Sequence, residues 1–245
     1  MRNGILAGLL AVTLTLGGCG RGGAEQGPEE TRSYALRDFD RVTLNGADDV
    51  NVIYGRDFAV VAAGPQNALD RLDIRKDGTT LVVGQKEDKG WTIGWDKHKS
   101  AAIVTVTLPL IRAATLSGAG DMNVASATPE DAFTARLSGS GNMTVANSRA
   151  KAVDLTLTGA GSMKLRGLAD SVTAQLTGSG GMDAVALTAR AVTVDLSGAG
   201  SISASASELA TGTLSGVGNV DIAGSARCAV RKSGIGEVRC GVARE

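Results

Sequence analysis

The sequence predicts an all-β chain: a parallel β-helix, or β-solenoid, of 18 to 21 residues per coil with a β excursion near its N-terminus. Three observations carry that prediction. The unit Leu116-Ser-Gly-Ala-Gly-Asp-Met122 returns at Leu137, Leu157, Leu176, Leu196 and Leu214, and once more at Lys232 with the Leu replaced. Successive first residues lie 21, 20, 19, 20, 18 and 18 apart, and a fixed period of that size means stacked supersecondary units. Apolar residues also alternate on both sides of each Gly-x-Gly. They fall two and four places before the Leu (Ala135 and Phe133, Val194 and Val192) and six and eight after it (Met122 and Val124, Met163 and Leu165). Period two on either side of a glycine pair reads as strand, corner, strand, one face of each strand turned inward. Lastly, 34 Gly against 4 Pro, with 43% apolar residues, describes a folded chain rather than a disordered one.

Residues 1–18 read as a processing signal. Arg2 supplies a short basic start, Ile5 to Leu16 an apolar run too short to span a bilayer as a mature helix, and Leu16-Gly-Gly-Cys19 closes it. That ending resembles the lipobox of bacterial lipoproteins. The resemblance implies that Cys19 is lipidated as the first mature residue, and Gly20 after it, rather than Asp, implies the outer membrane. Several acyl chains on one Cys anchor firmly, since each buried methylene contributes about 0.8 kcal/mol. An ordinary cleaved signal with a chance cysteine is the alternative. After the lipidated Cys19, residues up to 33 carry Gly, Pro and Glu without apolar periodicity, so residues 19–33 are expected to be a flexible tether. A single solenoid domain is expected over residues 34–245.

From Tyr34 the pattern becomes short alternating runs. Leu44-Asn-Gly-Ala-Asp-Asp-Val50 is a degenerate copy of the repeat with Asp48 in the second Gly position, a residue that tolerates left-handed backbone. The array therefore begins here, and residues 53–113 read as a long excursion before it resumes. Within it Phe58 to Ala63, Leu69 to Ile74, Thr79 to Val83 and Ala102 to Leu108 read as strands, with turns at Gly64-Pro65, Asp77-Gly78 and Pro109. Ala68 to Arg75 also fits one or two helical turns. The polar stretch from Gly84 to Ser100 reads as a hairpin tip. In the repeats, the two glycines are expected to supply the positive-φ conformations of the corner. A stack of hairpins is conceivable, but near-constant coil length with equivalent corners favours parallel coils about 4.8 Å apart around one aliphatic core.

The Phe39-Asp-Arg-Val42 entry, the strand Val104-Thr-Val-Thr-Leu-Pro109 and the serial Leu-Ser-Gly-x-Gly units, behind a lipobox, together resemble the head GIN domain family of bacterial autotransporter adhesins. The resemblance covers Tyr34 to Val242. It implies a right-handed β-helix shaped like the pectin lyases without their catalytic residues, an envelope location and a role in adhesion. The chain departs from the pattern at Asp48 and at Lys232, where a charge replaces the inward Leu and marks the last coil as a cap or a fraying end.

Several chemical readings compete with a purely structural one. Gly-x-Gly resembles a phosphate loop, but that needs a following helix, and here strands follow every copy. A calcium array would need regular acids after the second Gly, where Asp121, Asn142, Ser162, Gly181, Ser201, Asn219 and Glu237 stand, so no metal site and no cofactor are expected. A Ser-His-Asp site would have to use His98, the only His, in the polar tip. A polysaccharide-acting β-helix enzyme would gather acids and bases on one outer face; Arg136, Asp154, Lys164, Asp183 and Asp195 are the residues that could meet there. The hydroxyls of Ser117, Ser138, Thr158, Thr177, Ser197, Ser215 and Ser233 would form a ladder satisfying corner backbone groups, or else a polar contact strip. Trp91 and Trp95, the only tryptophans, suit a sugar or protein contact, or cover one flank of the solenoid. Cys228 and Cys240 occupy inward positions of the last coil. An oxidising envelope permits a bond between them, although opposed sheets about 10 Å apart would be too far unless the coil narrows.

Lys plus Arg and Asp plus Glu are both 25, so the chain has no electrostatic footprint for nucleic acid. The expected function is a non-catalytic, lipid-anchored envelope solenoid for adhesion, binding or structure. Its expected partners are the membrane, through the lipid on Cys19, and a protein or glycan. A polysaccharide-acting enzyme and an accessory subunit of an envelope complex are the alternatives. Exposed coil ends, like other uncovered sheet edges, offer pairing with another copy.

Overall fold

The computed structural model describes residues 28–86 and 101–242, which form a β-solenoid of stacked parallel coils. The chain enters with β1 (Glu29–Tyr34), β2 (Arg41–Gly46), β3 (Asp49–Tyr54), β4 (Ala59–Pro65), the short helix α1 (Gln66–Arg71), β5 (Leu72–Asp77), β6 (Thr80–Gln85) and β7 (Ile103–Leu108). The repeats then supply β8 (Ala113–Gly118), β9 (Met122–Val124), β10 (Ala132–Gly139), β11 (Asn142–Gly159), β12 (Ser162–Gly178), β13 (Gly181–Gly198), β14 (Ser201–Leu214), β15 (Val217–Ala223), β16 (Arg227–Lys232) and β17 (Ile235–Val242).

The repeat unit stacks on itself in strict register. Leu116 pairs with Leu137, Leu137 with Leu157, Leu157 with Leu176 and Leu176 with Leu196, while Met122, Met143, Met163 and Met182 pair in the same way beyond the corner. These Leu and Met side chains are almost wholly buried. Each coil alone would leave them in water, so the stack and the core form together. Each of the long strands β11 to β13 runs almost one full coil, leaving one corner and reaching the next. Register shifts between Val145 and Ser148, and between Lys164 and Gly167, mark the bend between the two sheets.

Three expectations are corrected. The segment 53–113 does not simply leave the array. β6 pairs in parallel with β2 (Val42 with Leu81, Leu44 with Val83) and β7 with β3 (Val50 with Val104, Val52 with Val106). β2 therefore lies between β6 and β8, and β3 between β7 and β9. The chain builds its first coil, lays a further layer against one side of it, and resumes the stack on the other. The alternation of Leu81, Val83, Val104 and Val106 fits the core as well as any repeat does, but no Gly-x-Gly joins the two strands, so periodicity of the motif misses the layer.

The tether expected over residues 19–33 is shortened as well, because Glu29–Tyr34 is strand β1, antiparallel to β4. β4 is antiparallel to β7, and β5 to β6. The segment Ala68–Arg75, left open between strand and helix, divides: α1 ends at Arg71 and β5 begins at Leu72. Ala68 and Leu69 are buried as α1 packs on β4 and β1.

The glycine pair, thirdly, does two different jobs. Gly118 and Gly139 have φ of +142° and +141°, as expected of a corner. The second glycine is not left-handed; a Cβ on Gly141 would stand 2.0 Å from the Gly120 carbonyl oxygen of the coil beneath. Its smallness, not its φ, is what the stack requires. Asp48 is accordingly not left-handed either, and it is accommodated because the layer of β6 and β7 lacks a Gly-x-Gly corner below it.

Candidate functional site

The corners form a continuous strip along the solenoid, and its backbone is satisfied internally. The amides of Ser140 and Gly141 both donate to the Gly118 carbonyl, at 3.0 and 3.2 Å, and those of Ala160 and Gly161 to the Gly139 carbonyl, at 2.9 and 3.0 Å. The hydroxyls beside the Leu positions are therefore not needed for this work. Thr177 and Ser197 lie 3.2 Å apart, and Ser215 donates to the Leu196 carbonyl at 3.3 Å. Most of the others present their hydroxyls at the surface.

The position after the second glycine ties coil to coil. Asp49 accepts from the Asp121 amide at 3.0 Å, and Asp121 in turn accepts from the Asn142 amide and side chain at 3.1 and 3.0 Å. Asn142 accepts from Ser162 at 2.6 Å, and Asn219 from the Glu237 amide at 3.2 Å. Oxygens engaged in this way cap neighbouring amides and do not converge on one point.

The five charged residues considered for polysaccharide chemistry are dispersed. Lys164 pairs with Asp183 at 3.2 Å on the sheet after the corner. Asp195, on the sheet before it, accepts from Thr213 at 2.8 Å. Arg136 stands in register with Thr115 and Thr156, and Asp154 with Thr134 and Thr173. The structure brings together one opposite-charge pair and no two carboxylates, whereas glycoside hydrolysis works with two carboxyl groups flanking one bond.

Asp48 organises the root of the polar segment. It is buried, accepting from the Ala102 amide at 3.0 Å and from the Gln85 side chain at 2.9 Å. One carboxylate thus bridges the end of β6 and the start of β7, in the place where other coils have a glycine corner. Cys19, Trp91, Trp95 and His98 lie outside the described residues. At the other end of the stack, Cys228 and Cys240 are joined in a disulfide with Cα atoms 6.3 Å apart, so the last coil is far narrower there than two facing sheets. Lys232, in register with Leu214, lies exposed and donates to the Gly236 carbonyl at 2.7 Å. Arg239 hydrogen-bonds Glu237, which holds that carboxyl below its ordinary value; the charge of Lys232 adds to the effect.

The family model described as "Putative auto-transporter adhesin, head GIN domain" matches residues 38–226. The chain belongs to this head GIN family. Solved structures share the fold. A "putative adhesin" of Bacteroides fragilis NCTC 9343 is 22% identical, with a TM-score of 0.79 over 87% of this chain and 97% of that one. A "putative lipid binding protein" of Parabacteroides distasonis ATCC 8503 is 18% identical, with a TM-score of 0.66 over 87% and 97%. A "putative adhesin" of Parabacteroides merdae ATCC 43184 is 19% identical, with a TM-score of 0.62 over 87% and 96%. No curated protein matches significantly. At these identities the likeness of the head GIN chain to the solved structures is one of fold. The expected family and architecture are thereby established. The part sequence reasoning missed is the Asp48 bridge, whose only signal was an acid in a glycine position.

Proposed function

We propose that this head GIN chain is a lipid-anchored, non-catalytic module of the bacterial cell envelope that binds a protein or glycan, as in adhesion. The observation that carries the reading is the use of the outer faces: among the described residues Asp121, Asn142, Asp195 and the Lys164–Asp183 pair link consecutive coils, and none of the five charged residues considered for polysaccharide chemistry forms a pair of carboxylates. The description of the family as adhesins, and the same word for two of the structural neighbours, support it. In this proposal Cys19 carries the lipid and holds the protein at the outer membrane. Trp91 and Trp95 make the contact, in the segment whose two roots Asp48 bridges.

The test has three arms. Metabolic labelling with a radioactive fatty acid should mark the wild type and not Cys19→Ala, with the label in the outer-membrane fraction. Cells producing the protein should adhere to glycan- or protein-coated surfaces better than cells lacking it, and Trp91→Ala with Trp95→Ala should remove that gain. Purified protein incubated with envelope polysaccharide should release no new reducing ends. Release that disappears on substituting outer-face acids would replace the binding reading with an enzymatic one.

A further inference from the structure

Among the described residues, the two ends of the stack are finished differently. Among the described residues β16 has a parallel neighbour on one side only, β14, and β17 has only β15. A strand with one neighbour presents a row of unpaired amides and carbonyls on its other edge. The core is also open here. Cys228 and Val238 are only partly buried, whereas their counterparts one layer in, Ala210 and Val220, are fully buried. Among the described residues the layer thus lacks a covering strand both in hydrogen bonding and in apolar contact.

Its charge says what would cover it. Along β16 the exposed side chains are Arg227, Ala229, Arg231 and the end residue Lys232, alternating with the inward Cys228 and Val230. Arg227 and Arg231 form no ion pair among the described residues, while in β17 Arg239 is neutralised by Glu237. The chain as a whole is neutral, so this is a local excess. A second copy approaching edge to edge would set these cations against their own kind, and like charges directly opposite are destabilising. The opposite end is closed to head-to-tail stacking by the antiparallel strands β1, β4 and β5.

We infer that the outer edge of β16 accepts an acidic extended segment of another protein by strand addition. Directly opposed side chains lie about 5 Å apart. The incoming strand therefore carries acids four residues apart, opposite Arg227 and Arg231. It has a small residue between them opposite Ala229, and apolar residues over Cys228 and Val230. Main-chain bonds supply affinity and the alternate side chains supply selectivity, as in other strand additions. The inference rests on the binding role proposed above and assigns it a second surface, since the fold is entered through β1 at the far end.

The probe is a fluorescent peptide with the core Glu-Val-Thr-Val-Glu, compared with Lys-Val-Thr-Val-Lys, titrated into the full chain in detergent and read by anisotropy. The acidic peptide should bind saturably and the basic one at least tenfold more weakly, with hydrogen exchange slowed in residues 227–232. Arg227→Glu with Arg231→Glu should reverse the preference, while an unchanged melting midpoint shows that the variant is folded. Equal binding of both peptides, no saturable binding, or protection outside β16 overturns the proposal. So does a dimer in sedimentation velocity that the acidic peptide fails to dissociate, which would assign the edge to a second copy. Lipid labelling at Cys19 and adhesion through Trp91 and Trp95 are read separately, so their failure leaves this result standing.

Discussion

The layer of β6 and β7 and the layer of β16 and β17 sit at opposite ends of one stack, yet they end it by opposite means. The first is covered: β5 and β4 pair with it antiparallel, β1 pairs with β4, and α1 buries Leu69 behind them. Arg32 adds ion pairs to Asp70 at 2.7 Å and Glu30 at 3.2 Å on this cap. The second is merely fastened, by the Cys228–Cys240 bond across the coil and by charged residues on its rim. A solenoid must stop its sheet somewhere. Covering an edge removes it, whereas a basic edge held by a disulfide resists general aggregation and stays open to a complementary strand.

Equivalent glycines at the two ends sharpen the comparison most. A Cβ on Gly120 would stand 1.9 Å from the Asp48 carbonyl oxygen, inside layers packed on both sides. Gly120→Ala should cost about 3 kcal/mol or more and lower the global melting midpoint. A Cβ on Gly236 would stand 1.8 Å from the Gly218 carbonyl oxygen, but the last layer can move outward. Gly236→Ala should cost about 1 kcal/mol and act only on local exchange. Equal global losses would show that the last layer is as constrained as the first.

Next in size is the fastening. The bond closes a loop with a sequence separation of 12, which by chain entropy is worth about 2–3 kcal/mol. Replacing both cysteines by Ala should raise hydrogen exchange in residues 227–242 and leave β8 to β13 unchanged. At the covered end, Asp48→Ala strands the Ala102 amide and frees Gln85, a loss of about 2 kcal/mol. It should appear as a lower melting midpoint and as faster exchange at Ala102, with no change in residues 227–242.

The smallest effect is one of pH. The Glu237 carboxyl is held below its ordinary value by Arg239 and then by Lys232. A depressed folded-state value means the pairing stabilises the last coil fully above the unfolded-state pKa. That contribution is lost as the pH falls from there through the folded value. Exchange in β17 should therefore quicken on acidification into that range, less so in high salt because the pair is exposed. Glu237→Gln should remove this dependence.

Much of this architecture could be read in the chain because stacking imposes identity. Leu116 must resemble Leu137 and Met122 must resemble Met143 for the coils to nest, so the core announces itself as a repeat. The layer of β6 and β7 stayed hidden because its place depends on threading order, and it makes no Gly-x-Gly corner. Asp48 has the same cause: it replaces a glycine only because nothing like a repeat lies beneath it. β1 is hard to read in the sequence because two of its three half-buried positions carry charge, Glu30 and Arg32, and only Tyr34 is apolar. The closure of Cys228 on Cys240 turned on how narrow the last coil is, a distance no spacing rule contains. As for the site, the dispersal of Arg136, Asp154, Lys164, Asp183 and Asp195 follows from the register of coils 18 to 21 residues long, and a shift of one residue would have changed it.

Native-state hydrogen exchange measured peptide by peptide along the oxidised chain tests the inequality of the ends most directly. The account predicts amides of β6 and β7 protected close to the level of β11 and β12. Those of β16 and β17 should exchange at least tenfold faster and faster again after reduction. Equal protection at the two ends, unaffected by reduction, would contradict it.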